Sequence, residues 1–181
     1  MTLAERLLAL HAALEDADIP HAFGEAIALA YWTLDPRGTS DLDVNVFLPA
    51  DDCAPALAAL PAGIDQPGDL AAVLARDGQR RLWWETTPVD LFFDYAPIHR
   101  DAAAHRRIVP FAGQEIPVLG PEELVVFKAM FDRTKDWADI EAVLEAGTVD
   151  LVPVRRRITE MVGPQDARLA RLEEATRRAN P

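Results

Sequence analysis

Arg37-Gly38-Thr39-Ser40-Asp41-Leu42-Asp43-Val44-Asn45-Val46-Phe47-Leu48 is the stretch that decides how this chain is read. Leu42, Val44, Val46 and Leu48 alternate with Asp41, Asp43, Asn45 and Phe47, which is the period of a strand with two distinct faces. Asp41 and Asp43 therefore share a face, their Cα atoms roughly 6–7 Å apart at about 3.3 Å rise per residue. Oxygens at that spacing can converge on one hard divalent cation, and two acids so close repel each other unless something positive lies between them. Acids are also common on solvated strand faces, so the surroundings have to separate the two readings.

Upstream, Phe23-Gly24-Glu25-Ala26 runs into Ile27-Ala28-Leu29-Ala30-Tyr31-Trp32, a short strand and tight turn opening a helix. A glycine in such a turn lets backbone N–H groups approach phosphate oxygens at a helix N-terminus. Downstream, Val89-Asp90-Leu91-Phe92-Phe93 sets one acid inside an apolar, β-prone run, and buried strands rarely keep an acid without a partner.

Gly24, then Asp41-Leu42-Asp43, then Asp90 resembles the nucleotidyltransferase superfamily with the polymerase-β-like core: a glycine turn, an Asp-x-Asp strand and a third acid on a neighbouring strand. Two further segments resemble the AbiEii-type and MNT-like bacterial branch. Arg37-Gly38-Thr39-Ser40-Asp41-Leu42-Asp43 is similar to its R-x-T-x-D-L-D run. Leu124-Val125-Val126-Phe127-Lys128 followed by Arg133-Thr134-Lys135-Asp136-Trp137-Ala138-Asp139-Ile140 is similar to its lysine helix and R-x-K-D-x-x-D-I segment. The motifs cover about residues 20 to 145.

The resemblance implies a metal-dependent transfer of a nucleoside monophosphate from an NTP, such as ATP, to a hydroxyl. Asp41 and Asp43 would hold Mg²⁺ (or Mn²⁺) against the triphosphate, and Asp90 would complete a second metal position and help deprotonate the acceptor, with Asp94 as the fallback third acid. Thr39 and Ser40 would donate to phosphate oxygens or simply make the turn before the strand. Lys128 would neutralise phosphate charge, while Lys135 and Asp136 would contact nucleotide or acceptor or belong to a surface network with Arg133 and Asp139. The branch includes toxin components, which implies an antitoxin protein as partner, and small-molecule adenylyltransferases. The acceptor is accordingly a tRNA end, a protein hydroxyl or a small molecule. Glu25 departs from the pattern, because the family has Gly or Ser beside the first glycine and a carboxylate there repels a triphosphate unless it turns outward or helps hold the cation. That departure keeps open a second class, a nucleotidyltransferase-like module that binds nucleotide or a partner without chemistry.

The rest of the chain bounds these readings. Its 181 residues, half of them hydrophobic, are enough to bury a sizeable core. No apolar run approaches the ~20 residues of a membrane span, and Met1-Thr2-Leu3-Ala4-Glu5-Arg6 carries charge through what would be a signal peptide's apolar core, so a cytoplasmic protein is expected. The lone Cys53 makes no internal disulfide or cysteine-based zinc site. His11, His21, His99 and His105 show no ligand spacing and are expected to be structural or exposed; Trp137 is expected in the core. A net charge of −12 argues against a broad nucleic-acid surface. Seven arginines lie from Arg155 onward against four acids, which reads as a solvated helix face in preference to a guide for an RNA end. Against sixteen arginines there are only two lysines, Lys128 and Lys135, and a lysine in such a chain suggests a need for a compact point charge.

Leu3, Leu7, Leu10 and Leu14 predict a first helix ending before Pro20, followed by a strand at 21–23, a helix at about 26–34 and the Asp-x-Asp strand. Residues 51–78 read as short helices, 82–85 and 89–95 as two strands, 107–118 as a hairpin, and everything after Gly120-Pro121 as helical. The expected class is α+β: a mixed sheet with helices on one side forming a core over residues 1–120, and a helical region over 121–181 packed on it.

Overall fold

A computed structural model of the chain describes residues 1–179; Asn180 and Pro181, the end of the expected helical region, lie outside the described residues. In order, its elements are α1 (Leu3–Asp16), β1 (His21–Phe23), α2 (Glu25–Thr33), β2 (Leu42–Pro49), a 3₁₀ turn at Ala50–Asp52, α3 (Ala54–Ala59), β3 (Ile64–Asp65), α4 (Leu70–Asp77), β4 (Gln79–Trp84), β5 (Thr87–Asp94), α5 (Pro97–His105), β6 (Arg107–Phe111), β7 (Gln114–Val118), α6 (Pro121–Phe131), α7 (Thr134–Ala146), α8 (Leu151–Val162) and α9 (Ala167–Ala179). The fold is α+β, and it divides into two compact units. Met1–Ile27 with Gly38–Leu119 form the first; Ala28–Arg37 with the chain from Gly120 onward form the second.

The first unit is built on a seven-stranded mixed sheet of order β3-β4-β5-β2-β1-β7-β6. β2 runs parallel to β5 and antiparallel to β1, and β1 pairs in parallel with β7. The alternation in β2 has the anticipated consequence: Leu42, Val44 and Val46 are at most 1 % exposed, and Val89, Leu91 and Phe93 of β5 bury the same way. Asp43 and Asn45 are buried too, while the Asp41 side chain at the start of the strand keeps about a third of its surface exposed. Leu7, Leu10 and Leu14 form the buried stripe of α1, which Thr2 and Glu5 start with a reciprocal capping box worth about 1 kcal/mol.

Two tight turns fix register. Ala112 and Gly113, both at positive φ, turn β6 into β7. Glu85 and Thr86 turn β4 into β5, so Trp84 faces Thr87 and, three pairs back, Arg81 faces Asp90. Helix α5 is an addition to the elements expected from sequence; Pro97 starts it, and Ile98 and Ala102, one turn apart, are its buried face.

In the second unit α6 packs against α7 and α8, and α9 against α7 and α8. Pro121 opens α6 at a position where its missing N–H costs nothing, Asp132 ends it in the left-handed region, and Gly147 ends α7 the same way. Leu124, Ile140, Val143, Val154, Ile158 and Leu172 supply core to these helices. Trp137 is 5 % exposed, its indole N–H donating to Asp132 at 2.7 Å with the Arg171 guanidinium over its ring, which makes it a packed core residue. All seven arginines between 155 and 179 pair with acids, the Arg157–Glu123 pair being buried at 2.6 Å. The excess charge of this region is thereby spent inside the helical unit, as a solvated and paired face. Among the described residues no helix is long and apolar enough to cross a membrane.

Candidate active site

The parallel register of β2 and β5 sets Asp43 directly beside Asp90. Residues paired across parallel strands put their side chains on the same face of the sheet, and Asp41, two residues before Asp43, points that way too. Three acids therefore share one face where two central strands meet. Asp94 is elsewhere: it pairs with Pro49 beyond a bulge at the other end of β2, so Asp90 is the third acid of the set.

The positive group between these acids is Arg81, which the sequence reading did not single out. Its guanidinium grips Asp90 with two bonds, Nε to Oδ1 at 2.8 Å and a terminal nitrogen to Oδ2 at 2.5 Å, and the same nitrogen lies 3.6 Å from Asp41 Oδ2. The Asp41 and Asp90 oxygens are therefore no more than about 6 Å apart. Hydrogen bonding and charge from Asp90, with further contributions from Asp41 and Asp43, raise the Arg81 pKa even above its ordinary value. A guanidinium fork is the usual match for a carboxylate. Here it stands where the three acids call for a cation.

Asp41 is fixed from the other side. The Thr39 hydroxyl donates to its Oδ1 at 2.6 Å, so Thr39 orients a carboxylate, while Ser40 is exposed. Gly24 faces the same acids: its N–H donates to the Asp43 carbonyl at 2.9 Å, and a Cβ on it would meet Asn45 Nδ2 at 2.9 Å and Asp43 Cβ at 3.8 Å. A side chain at this position would have to displace the Asn45 amide for the turn to come this close to β2. Because the Gly24 N–H is engaged, any anion at this turn has the following N–H groups, those opening α2, to bind. Glu25 takes φ +35, a left-handed conformation that costs a non-glycine residue free energy.

The donor set fits a hard divalent ion such as Mg²⁺ or Mn²⁺: three carboxylates on one face, already gathered around a cationic group. Their oxygens are less tightly drawn together than in the two clusters whose ligand atoms all lie within 4.8 Å of one another, one of which is His11, Glu15 and His21.

The other sequence-predicted residues lie in the helical unit. Lys128 is 1 % exposed, with Nζ 2.8 Å from Asp139 and 3.7 Å from Asp136. Arg37 reaches Asp139 at 2.8 Å, and Arg133 grips Asp136 through two side-chain bonds of 2.6 and 3.0 Å. Burial alone would raise the Asp136 pKa, but the Arg133 hydrogen bonds and the Lys128 charge outweigh it and hold the carboxyl below its usual value. Lys135 is exposed on the first turn of α7. The two lysines are thus in unlike places, one a buried ion-pair centre and one at the surface.

A residue opposite Asp90 was available from the sequence. Once a two-residue turn joins β4 to β5, the pairing of Arg81 with Asp90 is fixed by counting back from it. His11 and His21 are joined at 2.9 Å although ten residues apart, a proximity that depends on how α1 folds back beside β1.

No family model matches this chain, and no curated protein matches it. Solved structures do. The antibiotic-resistance factor ANT(2'')-Ia is similar over 97 % of this chain and 97 % of that one, with a TM-score of 0.57 at 12 % identity. An antigenic nucleotidyltransferase-like protein from Paracoccidioides brasiliensis is similar over 93 % of this chain and 91 % of that one, with a TM-score of 0.52 at 16 % identity. The chain has the nucleotidyltransferase fold; these likenesses do not single out the AbiEii-type and MNT-like branch.

Proposed function

We propose, taking the nucleotidyltransferase fold as the premise, that this protein transfers a nucleoside monophosphate from an NTP to a hydroxyl in a reaction that depends on Mg²⁺ or Mn²⁺. The observation that carries this reading is the pairing of Asp43 with Asp90 across β2 and β5, with Asp41 within reach of the same Arg81. Fold alone assigns no chemistry, so the reading rests on these side chains.

Asp41, Asp43 and Asp90 would hold the ion. Bound there, it would neutralise the phosphate oxygens and ease loss of the acceptor proton. The acceptor oxygen attacks the α-phosphorus, the bond from that phosphorus to the bridging oxygen breaks, pyrophosphate leaves, and Asp90 takes the acceptor's proton. With an ion held by the three acids, Arg81 would no longer be needed between them, and its fork would be available to a phosphate. Thr39 keeps Asp41 oriented throughout. The N–H groups at the start of α2, beyond Gly24, bind the terminal phosphates. Lys128 acts within the helical unit by holding Asp136 and Asp139 in place.

The test is incubation of the protein with each labelled NTP, Mg²⁺ or Mn²⁺, and three acceptor pools: total tRNA, cell protein and hydroxyl-rich small molecules. Label on tRNA or protein would fit a toxin role and direct the search to an antitoxin partner. One observation favours a second reading, a module that binds nucleotide without chemistry: Glu25 is an acidic residue with a left-handed backbone at the turn where phosphate would sit. NTP binding with no label transfer to any pool would establish that reading.

A further inference from the structure

His11 and Glu15 stand one turn apart on α1, and His21 opens β1; their nearest ligand atoms all lie within 4.8 Å of one another. His11 Nδ1 and His21 Nε2 are 2.9 Å apart. The other nitrogen of His21, Nδ1, is 2.8 Å from the Ile19 carbonyl. A carbonyl can only accept, so Nδ1 of His21 carries the hydrogen and Nε2 presents its lone pair to His11 and Glu15. A ring so anchored, 2 % exposed and with its accepting nitrogen aimed at a second imidazole and a carboxylate, is in the arrangement that metal-ligating histidines adopt.

We propose that His11 Nδ1, a Glu15 carboxylate oxygen and His21 Nε2 form a binding site for a zinc-class divalent ion, separate from the acid-lined face of β2 and β5. Two imidazoles and one carboxylate select a borderline transition metal, whereas Mg²⁺ prefers an all-oxygen set. At Zn–N distances of about 2.0–2.1 Å, two nitrogens on a tetrahedral ion sit about 3.3 Å apart. The pair therefore has to open by only a few tenths of an ångström. In the metal-free pair His11 Nδ1 donates to His21 Nε2; on binding, that hydrogen moves to Nε2 of His11, and both facing lone pairs go to the ion.

The surroundings admit an ion. The three residues line an open cavity of about 450 Å³ together with Asp18, Arg106 and Glu115. Glu15, Asp18 and Glu115 set three negative charges against the one positive charge of Arg106, so the cavity attracts a cation. Three protein ligands leave a fourth position facing this space, for water or an exogenous donor. An ion here ties α1 to β1 across the turn at residues 17–20. β1 leads straight to Gly24, so occupancy stiffens the strand that carries the phosphate turn. The site stands on its own residues and is independent of the proposed transfer activity.

The experiment is a titration of the full-length protein with Zn²⁺ and with Co²⁺ in the presence of excess Mg²⁺, read by calorimetry and by the visible absorption of Co²⁺. The proposal expects one equivalent bound in the micromolar range or tighter, with an absorption spectrum of nitrogen and oxygen ligation. His11→Gln and Glu15→Gln, both away from the deepest core, should each weaken binding at least tenfold, and His21→Gln should do the same. Asp41→Asn and Asp90→Asn should leave the affinity unchanged. Absence of micromolar binding overturns the proposal. So does wild-type affinity in either His11→Gln or Glu15→Gln, and so does loss of binding in Asp90→Asn, which would put the ion on the other acids.

Discussion

Arg81 and Asp90 face each other across antiparallel β4 and β5 and are joined by a two-bond fork, so the acid that should hold a cation already holds one. The guanidinium is half exposed while the Asp90 side chain is only 15 % exposed, which means Arg81 can swing out to solvent at small cost and Asp90 cannot. On the proposed reading, Arg81 in this position is a tethered competitor for the metal.

Arg81→Met removes that competitor. Affinity for Mn²⁺ without nucleotide should rise by on the order of tenfold, and stability without metal should fall by about 1 kcal/mol or less, since the pair is partly solvated. Calorimetric Mn²⁺ titration and urea unfolding of the two proteins check both halves. Weaker Mn²⁺ binding in the variant would mean that Arg81 organises the acids instead of competing for them.

Glu25→Gly relieves a left-handed backbone conformation at the start of α2 and should stabilise the protein by about 1 kcal/mol in urea. Glu25→Ser keeps the backbone cost but removes the charge, and should tighten Mg·NTP binding. If Glu25 instead helps hold a cation, Glu25→Ser will weaken that binding.

Lys128→Met leaves the Asp136 and Asp139 carboxylates short of their buried partner and should cost about 3–5 kcal/mol in denaturant unfolding. Loss of NTP binding with undiminished stability would return Lys128 to the phosphate-neutralising role expected from sequence.

Two buried groups give separate acid limbs. Burial pushes the His99 imidazole below its ordinary 6.5, so the folded protein holds it neutral where the unfolded chain takes up a proton. Its contribution is complete above about pH 6.5 and is lost as pH falls from there toward the folded value. Asp136 is held below 3.8 by Arg133 and Lys128 against its burial, so its contribution is complete above about pH 4 and is lost only as the pH drops further. Unfolding free energy measured from pH 7.5 to 3 should fall in both windows. His99→Gln should make the first shallower, burial lowering the His21 imidazole in the same direction, and leave the second.

What could be read from the sequence was what repeats or punctuates. The period-2 run of β2, the leucine stripe of α1, the Ala112-Gly113 turn and the Gly120-Pro121 break each name their element locally, and the acid set follows from two of those strands being neighbours. The residues that escaped are the ones whose meaning depends on pairing over distance. Arg81 matters because a turn at Glu85 and Thr86 puts it across from Asp90. His11 meets His21 only because α1 folds back beside β1. That Lys128 is buried with Asp136 and Asp139 one helix later also depends on helix packing that the sequence does not display. Short α5 has too few turns to display a period.

The most direct test of the central claim is the rate of label transfer from NTP for wild type and Asp90→Asn, in Mg²⁺ and Mn²⁺, across the three acceptor pools. The account predicts transfer by wild type to one pool and a loss of at least about a hundredfold in Asp90→Asn, as removal of a metal-holding base requires. Transfer by Asp90→Asn at the wild-type rate would contradict it, as would no transfer by wild type with any of the four NTPs.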